Sequence, residues 1–387
     1  MIKIALLGSG IGDVPIVKAA KKMGFFVYTI SKNKNGVVHK YSDEYVCADY
    51  TDTDEILSVI NKHNIKYVIP GGNDKSYLTC ASLAQKKDIG NFDNFFTAEI
   101  LHAKHLFKIF ALNENISVPE GGVFNDIQKA LNYILEFKSD AVVKPSDSTS
   151  GWGVEKIFKN ENINSKKEKI FNAFKSSSIK KIVIEKFING SNHAISVIIK
   201  NRKVFFYFVD DEYYYLNPYK VAGAMTDVTL DKKVIIKIIK EIETIADKLR
   251  LKDGLLHVQF MVENDKPYII ELCRRTPGDL YVELVRLSTS VDYAEIILKF
   301  WLGLNDIEIK QKDKKLIVRH CVMANKNGQI ESYAFQDNMK VVKNVLLSTD
   351  IKDYLNENVA IVFFECNSKE KMKKIDFNKA VKLKYKD

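Results

Sequence analysis

A single lysine beside a glycine- and serine-rich loop is the first feature of the chain whose residue types suggest chemistry. The stretch AVVKPSDSTSGWGVEKIF, residues 141–158, has two apolar, strand-like ends, and Lys144 opens the polar run between them. Backbone N–H groups freed by glycine and serine can point at phosphate oxygens, and an ammonium group supplies a point charge there. The stretch therefore predicts a phosphate-binding flap between two strands. A plain hairpin loop is the alternative.

The stretch IVIEKFINGSNH, residues 182–193, reads as a strand followed by a polar turn. Glu185 and Lys186 end the strand, where free backbone N–H and C=O groups can read the edge of a flat base such as adenine. His193 follows, and a lone histidine is more often a hydrogen-bonded structural residue than a ligand-binding one.

Residues 257–273, HVQFMVENDKPYIIELC, read as two strands joined by a turn at ENDK. The period-two alternation of strands places Gln259, Glu271 and Cys273 on one face. Oxygen ligands from facing strands suit Mg²⁺, and an unpaired carboxylate inside the apolar run YIIELC would be costly. The hairpin is therefore predicted to bind a metal ion.

Two arginines and a glycine turn follow this hairpin directly, in the sequence RRTPGD. Arg274 and Arg275 could grip a carboxylate or phosphate with two parallel hydrogen bonds, or form salt bridges with nearby acids. Asp279 is close enough in sequence to take a proton from a reacting group, or it caps the helix predicted over LYVELVRL.

The elements before residue 70 alternate strand and helix. Strands are predicted for IKIALL, FFVYTIS and IKYVIP, and helices for VPIVKAAKKMG and TDTDEILSVINKHN, the latter with Thr51 or Thr53 as N-cap. This order predicts a parallel, Rossmann-like sheet. The turn GSGIGD has Asp13 where a dinucleotide-binding fingerprint has its third glycine, and no acid ends the second strand. A tight turn without a cofactor is favoured over a dinucleotide site.

The remaining elements are mixed. One helix is predicted over TAEILHAKHLFKIFALNENI, a hairpin with its turn at Asn201–Arg202, and a long helix over KVIIKIIKEIETIADKLR. The stretch DDEYYYLNPYKVAGAMTD either lines a substrate pocket or is a surface loop. Residues 306–387 alternate short strands with a helix.

Composition excludes several classes of protein. The 387 residues are 46% hydrophobic with a formal charge of +10, and no apolar run approaches the length of about 20 residues that spans a membrane. The lysines are interleaved with acids, which is typical of solvated helix faces rather than a nucleic-acid surface. The five cysteines form no CxxC pair and no signal peptide is visible. We expect a cytoplasmic protein with no membrane or nucleic-acid partner.

Taken in order, these motifs resemble the ATP-grasp superfamily over about residues 1–305. The stretch AKHLFKIFALNENISVP is similar to the helix that carries the first ATP-binding lysine, which would be Lys104. The resemblance implies an α/β and α+β fold: a Rossmann-like domain over 1–112, an ATP-grasp domain over 113–305 with a lid subdomain over 113–188 and a core over 189–305, and a C-terminal segment over 306–387 that packs on the core. The implied ATP-binding residues are Lys104, Lys144, Ser150, Gly151, Trp152, Gly153, Glu185, Lys186, Phe187, Ile188 and His193.

The resemblance also implies an activity. The chain would activate a small-molecule carboxylate as an acyl phosphate with ATP and Mg²⁺ or Mn²⁺, and join it to an amine. Gln259, Glu271 and Cys273 would face the metal, Arg274, Arg275 and Gly278 would bind substrate, and Arg275, Lys144 and Asp279 would be catalytic. The family usually has Glu at 259 and Asn at 273, so this chain departs from it at the metal site, and a thiol suits Mg²⁺ poorly. The alternatives are a kinase that stops at phosphoryl transfer and a non-catalytic nucleotide-binding protein. Relatives are often dimers, so a homodimer is also expected.

Overall fold

The structure is a computed structural model that describes residues 1–148, 151–226, 228–304, 307–312, 314–336 and 339–386. Within these residues the chain forms nineteen strands and eleven α-helices. The strands are β1 (Lys3–Leu7), β2 (Phe26–Ile30), β3 (Glu44–Val46), β4 (Tyr67–Pro70), β5 (Gly121–Phe124), β6 (Ala141–Pro145), β7 (Glu155–Ile157), β8 (Ile182–Lys186), β9 (Ser191–Lys200), β10 (Lys203–Tyr213), β11 (Gly223–Met225), β12 (Gly254–Glu263), β13 (Lys266–Cys273), β14 (Leu316–Met323), β15 (Gly328–Phe335), β16 (Lys340–Leu346), β17 (Asp350–Ile351), β18 (Asn358–Cys366) and β19 (Val381–Tyr385). The helices are α1 (Val14–Lys22), α2 (Thr53–His63), α3 (Asp74–Lys86), α4 (Phe95–His102), α5 (Lys104–Asn113), α6 (Ile127–Glu136), α7 (Ile163–Ser176), α8 (Lys232–Lys248), α9 (Tyr281–Thr289), α10 (Tyr293–Trp301) and α11 (Lys369–Lys373).

The N-terminal region contains the predicted parallel sheet. Its strand order is β3-β2-β1-β4, and the apolar residues of β1 are almost wholly buried. The strands β1, β2 and β4 match the predicted ones, whereas α3 was not anticipated. The N-cap of α2 is Asp52, whose side chain accepts hydrogen bonds from the amides of Asp54 and Glu55, so the prediction of Thr51 or Thr53 was wrong.

A four-stranded antiparallel sheet of order β5-β8-β6-β7 forms a separate layer, against which α6 and α7 pack. The predicted flap joins β6 to β7 in this sheet. Two of its glycines, Gly151 and Gly153, have φ angles of 74° and 71°, a region that other residues rarely adopt. The flap therefore requires glycine at these positions.

The central sheet has eight strands in the described part of the chain, in the order β13-β12-β9-β10-β11-β14-β18-β16. The hairpins β9–β10 and β12–β13 turn at Asn201–Arg202 and Asn264–Asp265, as predicted, and all four turn residues have positive φ angles. Strands β14, β18 and β16 follow the predicted domain boundary at 305 in the sequence, yet they belong to this same sheet. The domain boundaries inferred from the sequence remain a proposal, and the C-terminal strands share one sheet with the core before them.

The helix predicted over residues 97–116 is two helices. Ala103 has extended backbone angles (φ −102°, ψ 112°) and ends α4 where α5 begins. The loop after β6 causes the break, because Ser146 accepts hydrogen bonds from the first amides of α5, at Lys104 and His105. The prediction of one continuous helix was wrong because this tertiary contact is not visible in local sequence.

The turn GSGIGD of the N-terminal region packs against the segment that follows β13. A Cβ atom at Gly12 would lie 2.7 Å from the Cα of Gly278, so the two backbones touch. The carboxylate of Asp13 accepts hydrogen bonds from the amides of Gly10 at 2.9 Å and Gly72 at 2.6 Å, and burial raises its pKa to about 6. Asp13 thus ties two loops together.

We expect Gly12→Ala to lower the free energy of unfolding by about 1–3 kcal/mol, because overpacking against backbone atoms cannot be relieved by a side-chain rotation. Denaturant unfolding measures this effect. Gly10→Ala is the matched control, since a Cβ there meets nothing nearer than 3.6 Å. Equal stability of the two variants would contradict the contact between Gly12 and Gly278.

Candidate active site

A cavity of about 430 Å³ lies between the four-stranded sheet and the central sheet. It is lined by residues from β6, the flap, β8, β12 and β13. Nine of the residues predicted to bind ATP or metal line it: Lys104, Lys144, Gly151, Glu185, Lys186, Phe187, Ile188, Gln259 and Glu271. We call this the nucleotide cavity.

Lys104 connects three of the elements around this cavity. It is the first residue of α5, and its Nζ donates to the backbone oxygen of Ser148 at 2.7 Å and to Glu271 Oε1 at 3.1 Å. The break at Ala103 places this lysine at the start of a helix beside the flap. One cation thus bridges the flap and the predicted metal hairpin.

Lys144 belongs to a buried charge cluster. Its Nζ donates to Glu185 Oε2 at 2.6 Å, and the other oxygen, Oε1, accepts from Lys108 Nζ at 3.0 Å. Burial alone would raise the pKa of Glu185, but the two ammonium groups outweigh it and hold the pKa below its ordinary value. The carboxylate therefore fixes both lysines, and Lys144 borders the cavity.

Four of the residues predicted to bind ATP do not line the nucleotide cavity or are not described. His193 is buried away from the cavity lining, where Nδ1 lies 2.7 Å from Asp211 Oδ1 and Nε2 lies 2.6 Å from Ser191 Oγ. Trp152 is exposed, and Ser150 lies outside the described residues. The backbone at Gly153 shapes the flap but does not line the cavity.

The hairpin register places Gln259 directly opposite Glu271, so both side chains face the same side. The amide nitrogen of Gln259 donates to both oxygens of Glu212 on β10, at 2.9 and 3.0 Å, which leaves its amide oxygen available to a cation. Burial raises the pKa of Glu212 to about 7, although hydrogen bonds from Gln259 and Tyr214 oppose the shift. Two carboxylates and an amide oxygen meet here, which are the ligand types Mg²⁺ prefers.

Cys273 does not fit that set of ligands. Burial raises the pKa of its thiol to about 12, and Sγ lies 3.5 Å from the backbone oxygen of Arg275, to which it donates. A protonated thiol is a poor ligand for Mg²⁺. We therefore omit Cys273 from the proposed metal ligands. It lines a second cavity instead.

This second cavity, of about 440 Å³, adjoins the nucleotide cavity, and we call it the acceptor cavity. Five of the residues that line both cavities carry side chains: Glu212, Tyr214, Tyr219, Gln259 and Glu271. The predicted residues Arg275, Gly278 and Asp279 line only the acceptor cavity. The stretch of uncertain role, residues 210–227, therefore contributes to the pocket lining, one of its two expected roles.

Arg275 is held in place by Asp74 at the start of α3. Its Nε donates to Asp74 Oδ1 at 2.8 Å, and the same oxygen lies 3.0 Å from Nδ1 of His102. Burial works against the charge of Asp74, but Arg275 and His102 outweigh it and keep its pKa well below the usual range. Among the described residues Arg275 Nη2 has no hydrogen-bond partner, so one edge of the guanidinium is available to a ligand.

Arg274 points into the protein interior, in contrast to its predicted role in substrate binding. Its Nε donates to Asp93 at 2.8 Å, and its Nη atoms donate to the backbone oxygens of Leu255 and Lys252. Successive residues of an extended segment face opposite sides, so only one of two adjacent arginines can reach the cavity. Arg274 therefore forms a salt bridge with Asp93, which was the alternative to substrate binding in the sequence analysis.

Asp279 is paired with an arginine from the C-terminal strands. Its Oδ1 lies 2.8 Å from Nη1 of Arg319 on β14, although the angle is unsuitable for a hydrogen bond. Arg319 is fully buried, and its guanidinium lies over the ring of Tyr281. The N-cap of α9 is Leu280, so Asp279 is not the helix cap.

Sequence reasoning missed several residues of the two cavities. Lys108 follows Lys104 by four residues, so helical spacing on one face was the signal for it. Arg319 had no comparable signal, because it reaches the site only through sheet pairing. The missed residues that line the cavities or support their lining are Lys108, Lys156 and Arg319. The stretch 210–227, for which a pocket lining was one of two expected roles, contributes Glu212, Tyr214, Tyr219 and Lys220.

Some negative observations concern the described residues alone. Among them there is no group of three or more histidine, cysteine, aspartate or glutamate side chains arranged to hold a metal ion. No helix there combines the length and apolar character needed to cross a bilayer. All five cysteines are free thiols.

Known proteins resemble the chain in both sequence and fold. A family model for the ATP-grasp domain matches residues 105–278. The phosphoribosylamine–glycine ligase of Methanosphaera stadtmanae is 25% identical over 295 residues, which cover 70% of this chain and 66% of that protein. The chain thus spans just under two thirds of the length of this relative.

Two solved structures show the fold. The L-amino acid ligase from Bacillus licheniformis superimposes with a TM-score of 0.82 and 15% identity, covering 100% of this chain and 99% of that one. The biotin carboxylase domain of the Hydrogenobacter thermophilus 2-oxoglutarate carboxylase, solved with MgADP and bicarbonate, has a TM-score of 0.75 and 15% identity, covering 94% and 86%. The family match shows an ATP-grasp domain over residues 105–278, as the sequence motifs indicated, and the two solved structures share the fold of the chain.

Proposed function

We propose that the chain is an ADP-forming ligase that uses ATP to join a small-molecule carboxylate to an amine. The observation that carries this proposal is the convergence of Lys104, Lys144 and Glu271 on one cavity, which opens into a second cavity bordered by Arg275. The names of the ATP-grasp relatives, which are ligases for amines and amino acids, support it.

In the first step a carboxylate oxygen attacks the γ-phosphorus of ATP, the bond to the β–γ bridging oxygen breaks, and ADP leaves. Lys104 and Lys144 would neutralise the charge that spreads over the phosphates during this transfer. The free edge of Arg275 would hold the carboxylate in line. The residues Glu185, Lys186, Phe187 and Ile188 would bind the adenosine part along the end of β8.

Glu271, the amide oxygen of Gln259 and Glu212 would hold Mg²⁺ or Mn²⁺. The metal would supply positive charge to the β- and γ-phosphates. The structural relative solved with MgADP supports magnesium as the ion.

In the second step the amine attacks the acyl phosphate, and inorganic phosphate leaves from the resulting tetrahedral species. Asp279 lines the acceptor cavity and is the proposed acceptor for the proton that the amine loses. The flap would exclude water, which would otherwise hydrolyse the activated acid.

A screen for ADP release across amino acids, sugar acids and simple amines tests this function. We expect ADP and phosphate in equal amounts, and only when both an acid and an amine are present. ADP release with an acid alone and a stable phosphorylated product would favour the kinase instead. ATP binding without ADP release from any pair would favour a non-catalytic nucleotide-binding protein. The homodimer expected from the sequence stays a prediction, which light scattering measures.

Gln259→Glu is expected to tighten metal binding. The new carboxylate would lie beside Glu212, where Gln259 now donates at 2.9 and 3.0 Å, and the repulsion between them would be relieved by a cation. We expect the Mn²⁺ concentration for half-saturation in the presence of ADP to fall by about tenfold, or about 1.4 kcal/mol, as measured by electron paramagnetic resonance. Gln128→Glu, on the exposed surface of α6, is the control. Unchanged or weaker binding in Gln259→Glu would contradict the proposed metal site.

A further inference from the structure

The loop between β10 and β11 carries a lysine that belongs to the acceptor cavity alone. Lys220 is half-buried and lines that cavity, but not the nucleotide cavity. Its Nζ donates to the backbone oxygen of Asn356 and to Asn358 Oδ1, the latter at 3.0 Å. Both partners are neutral oxygens contributed by the C-terminal segment.

The electrostatic surroundings of Lys220 differ from those of the other cavity lysines. In the described part of the chain, the four lysines that line the nucleotide cavity each form a salt bridge: Lys104 with Glu271, Lys144 with Glu185, Lys156 with Asp140 and Lys186 with Glu263. Lys220 has no carboxylate within 4.0 Å among the described residues. An ammonium group that is partly desolvated without a counter-charge is costly, and burial lowers its pKa.

The position of Lys220 separates it from the phosphoryl-transfer end of the site. Arg275 is held by Asp74 at the start of α3, whereas Lys220 is held by Asn356 and Asn358 in the C-terminal segment. A carboxylate being phosphorylated must lie beside Glu271 and Arg275. A second anionic group beside Lys220 would therefore belong to the other substrate.

Contacts with the C-terminal segment and with the flap fix the position of the loop that carries Lys220. Asn356 and Asn358 line the same cavity, and Asn217 Nδ2 donates to the backbone oxygen of Leu355 at 3.2 Å, which ties the loop to the C-terminal segment. On the other side a Cβ at Gly151 would lie 2.5 Å from Tyr219 Cβ, so the flap touches the residue before Lys220. A ligand at Lys220 would lie near the part of the flap around Gly151.

We propose that Lys220 binds an anionic group of the amine substrate, so that the amine is one that also carries a carboxylate or a phosphate. This inference rests on the proposed ligase function and assigns a specificity role to the C-terminal segment, which positions Lys220. Lys220 supplies the charge, and Asn356 and Asn358 fix its direction.

Paired amines that differ only in charge test the proposal. The pairs are L-alanine with L-alaninamide, and O-phosphoethanolamine with ethanolamine, with the best acid from the ADP-release screen held at saturation. We expect wild type to prefer the anionic member of one pair, which also distinguishes a carboxylate from a phosphate. Lys220→Met should lower kcat/KM for that member by roughly 10–100-fold, as for a hydrogen bond to a charged group, and leave the neutral member and the KM for ATP unchanged. Lys220→Arg, which keeps the charge, should retain most of the preference.

Three results would overturn the proposal: no charge preference in wild type, an unchanged preference in Lys220→Met, or a rise in the KM for ATP in place of the amine effect. The last result would assign Lys220 to the nucleotide phosphates. Lys384→Met is the control for loss of a lysine in the C-terminal segment, because that side chain is exposed and paired with Glu331.

Binding of inorganic phosphate separates failure of this inference from failure of the ligase function. Isothermal titration of the full chain without nucleotide should show phosphate binding that Lys220→Met weakens about tenfold or more and Lys104→Met does not. Such binding without turnover of any acid and amine would keep the anion site and refute the ligase. Turnover with a phosphate affinity that does not depend on Lys220 would keep the ligase and refute the anion site.

Discussion

Lys144→Met is expected to lower the rate of ADP formation at saturating ATP by roughly 10²–10³-fold, the range found when one preorganised charge-stabilising donor is removed. The reason is its position, since Nζ is fixed by Glu185 and borders the nucleotide cavity. Steady-state kinetics with the acid and amine from the ADP-release screen measure the effect.

The fold should survive this substitution, because Glu185 keeps its second partner, Lys108, at 3.0 Å. Circular dichroism and thermal unfolding check that point. Lys203→Met is the matched control, since Lys203 is an exposed lysine paired with Glu243 and lines neither cavity. Turnover in Lys144→Met equal to that of this control would show that Lys144 is not part of the site.

Glu185→Gln should destabilise the protein by about 3–5 kcal/mol at neutral pH, the usual cost of removing one partner from a buried ion pair. The substitution leaves two ammonium groups, on Lys108 and Lys144, without a counter-charge, and their side chains are only 2% and 12% exposed. Denaturant unfolding measures the loss. Glu263→Gln is the control, because the pair with Lys186 is more exposed and is expected to contribute less than about 1 kcal/mol.

The cost of Glu185→Gln should also depend on pH. The pKa of Glu185 is lower in the folded protein than in the unfolded chain, so the stabilisation is fully present above the unfolded value of about 4.3. It is lost as the pH falls through the folded value. The stability difference between wild type and Glu185→Gln should therefore narrow in acid, and a difference that widened there would contradict the charge cluster.

The fold class and the resemblance to the ATP-grasp superfamily could be predicted from the sequence, because the residue patterns that indicate them are local. Strand–helix alternation predicted the parallel sheet, which the structure contains. Turn-forming residue types predicted both hairpins, and the turn residues Asn201–Arg202 and Asn264–Asp265 have positive φ angles in the structure. Period-two alternation then placed Gln259 and Glu271 on one face, as the register confirms. The family match confirms an ATP-grasp domain over residues 105–278, and the fold is shared with a solved structure.

Features that depend on contacts between distant segments could not be predicted from the sequence. The break at Ala103 comes from Ser146, and Arg274 turns inward because Asp93 lies beneath it. Glu212 reaches Gln259 only because β10 and β12 both flank β9. Charge pairs such as these are set by sheet order and packing, which a single sequence does not display.

The central claim is that an acid is phosphorylated by ATP at the junction of the two cavities before the amine attacks. Transfer of ¹⁸O from a doubly labelled carboxylate substrate to inorganic phosphate, followed by ³¹P nuclear magnetic resonance, tests it most directly. We predict one ¹⁸O atom in each phosphate released, together with ADP and the ligated product. Unlabelled phosphate, or label appearing in AMP, would show that the carboxylate is not activated at the γ-phosphate in this site.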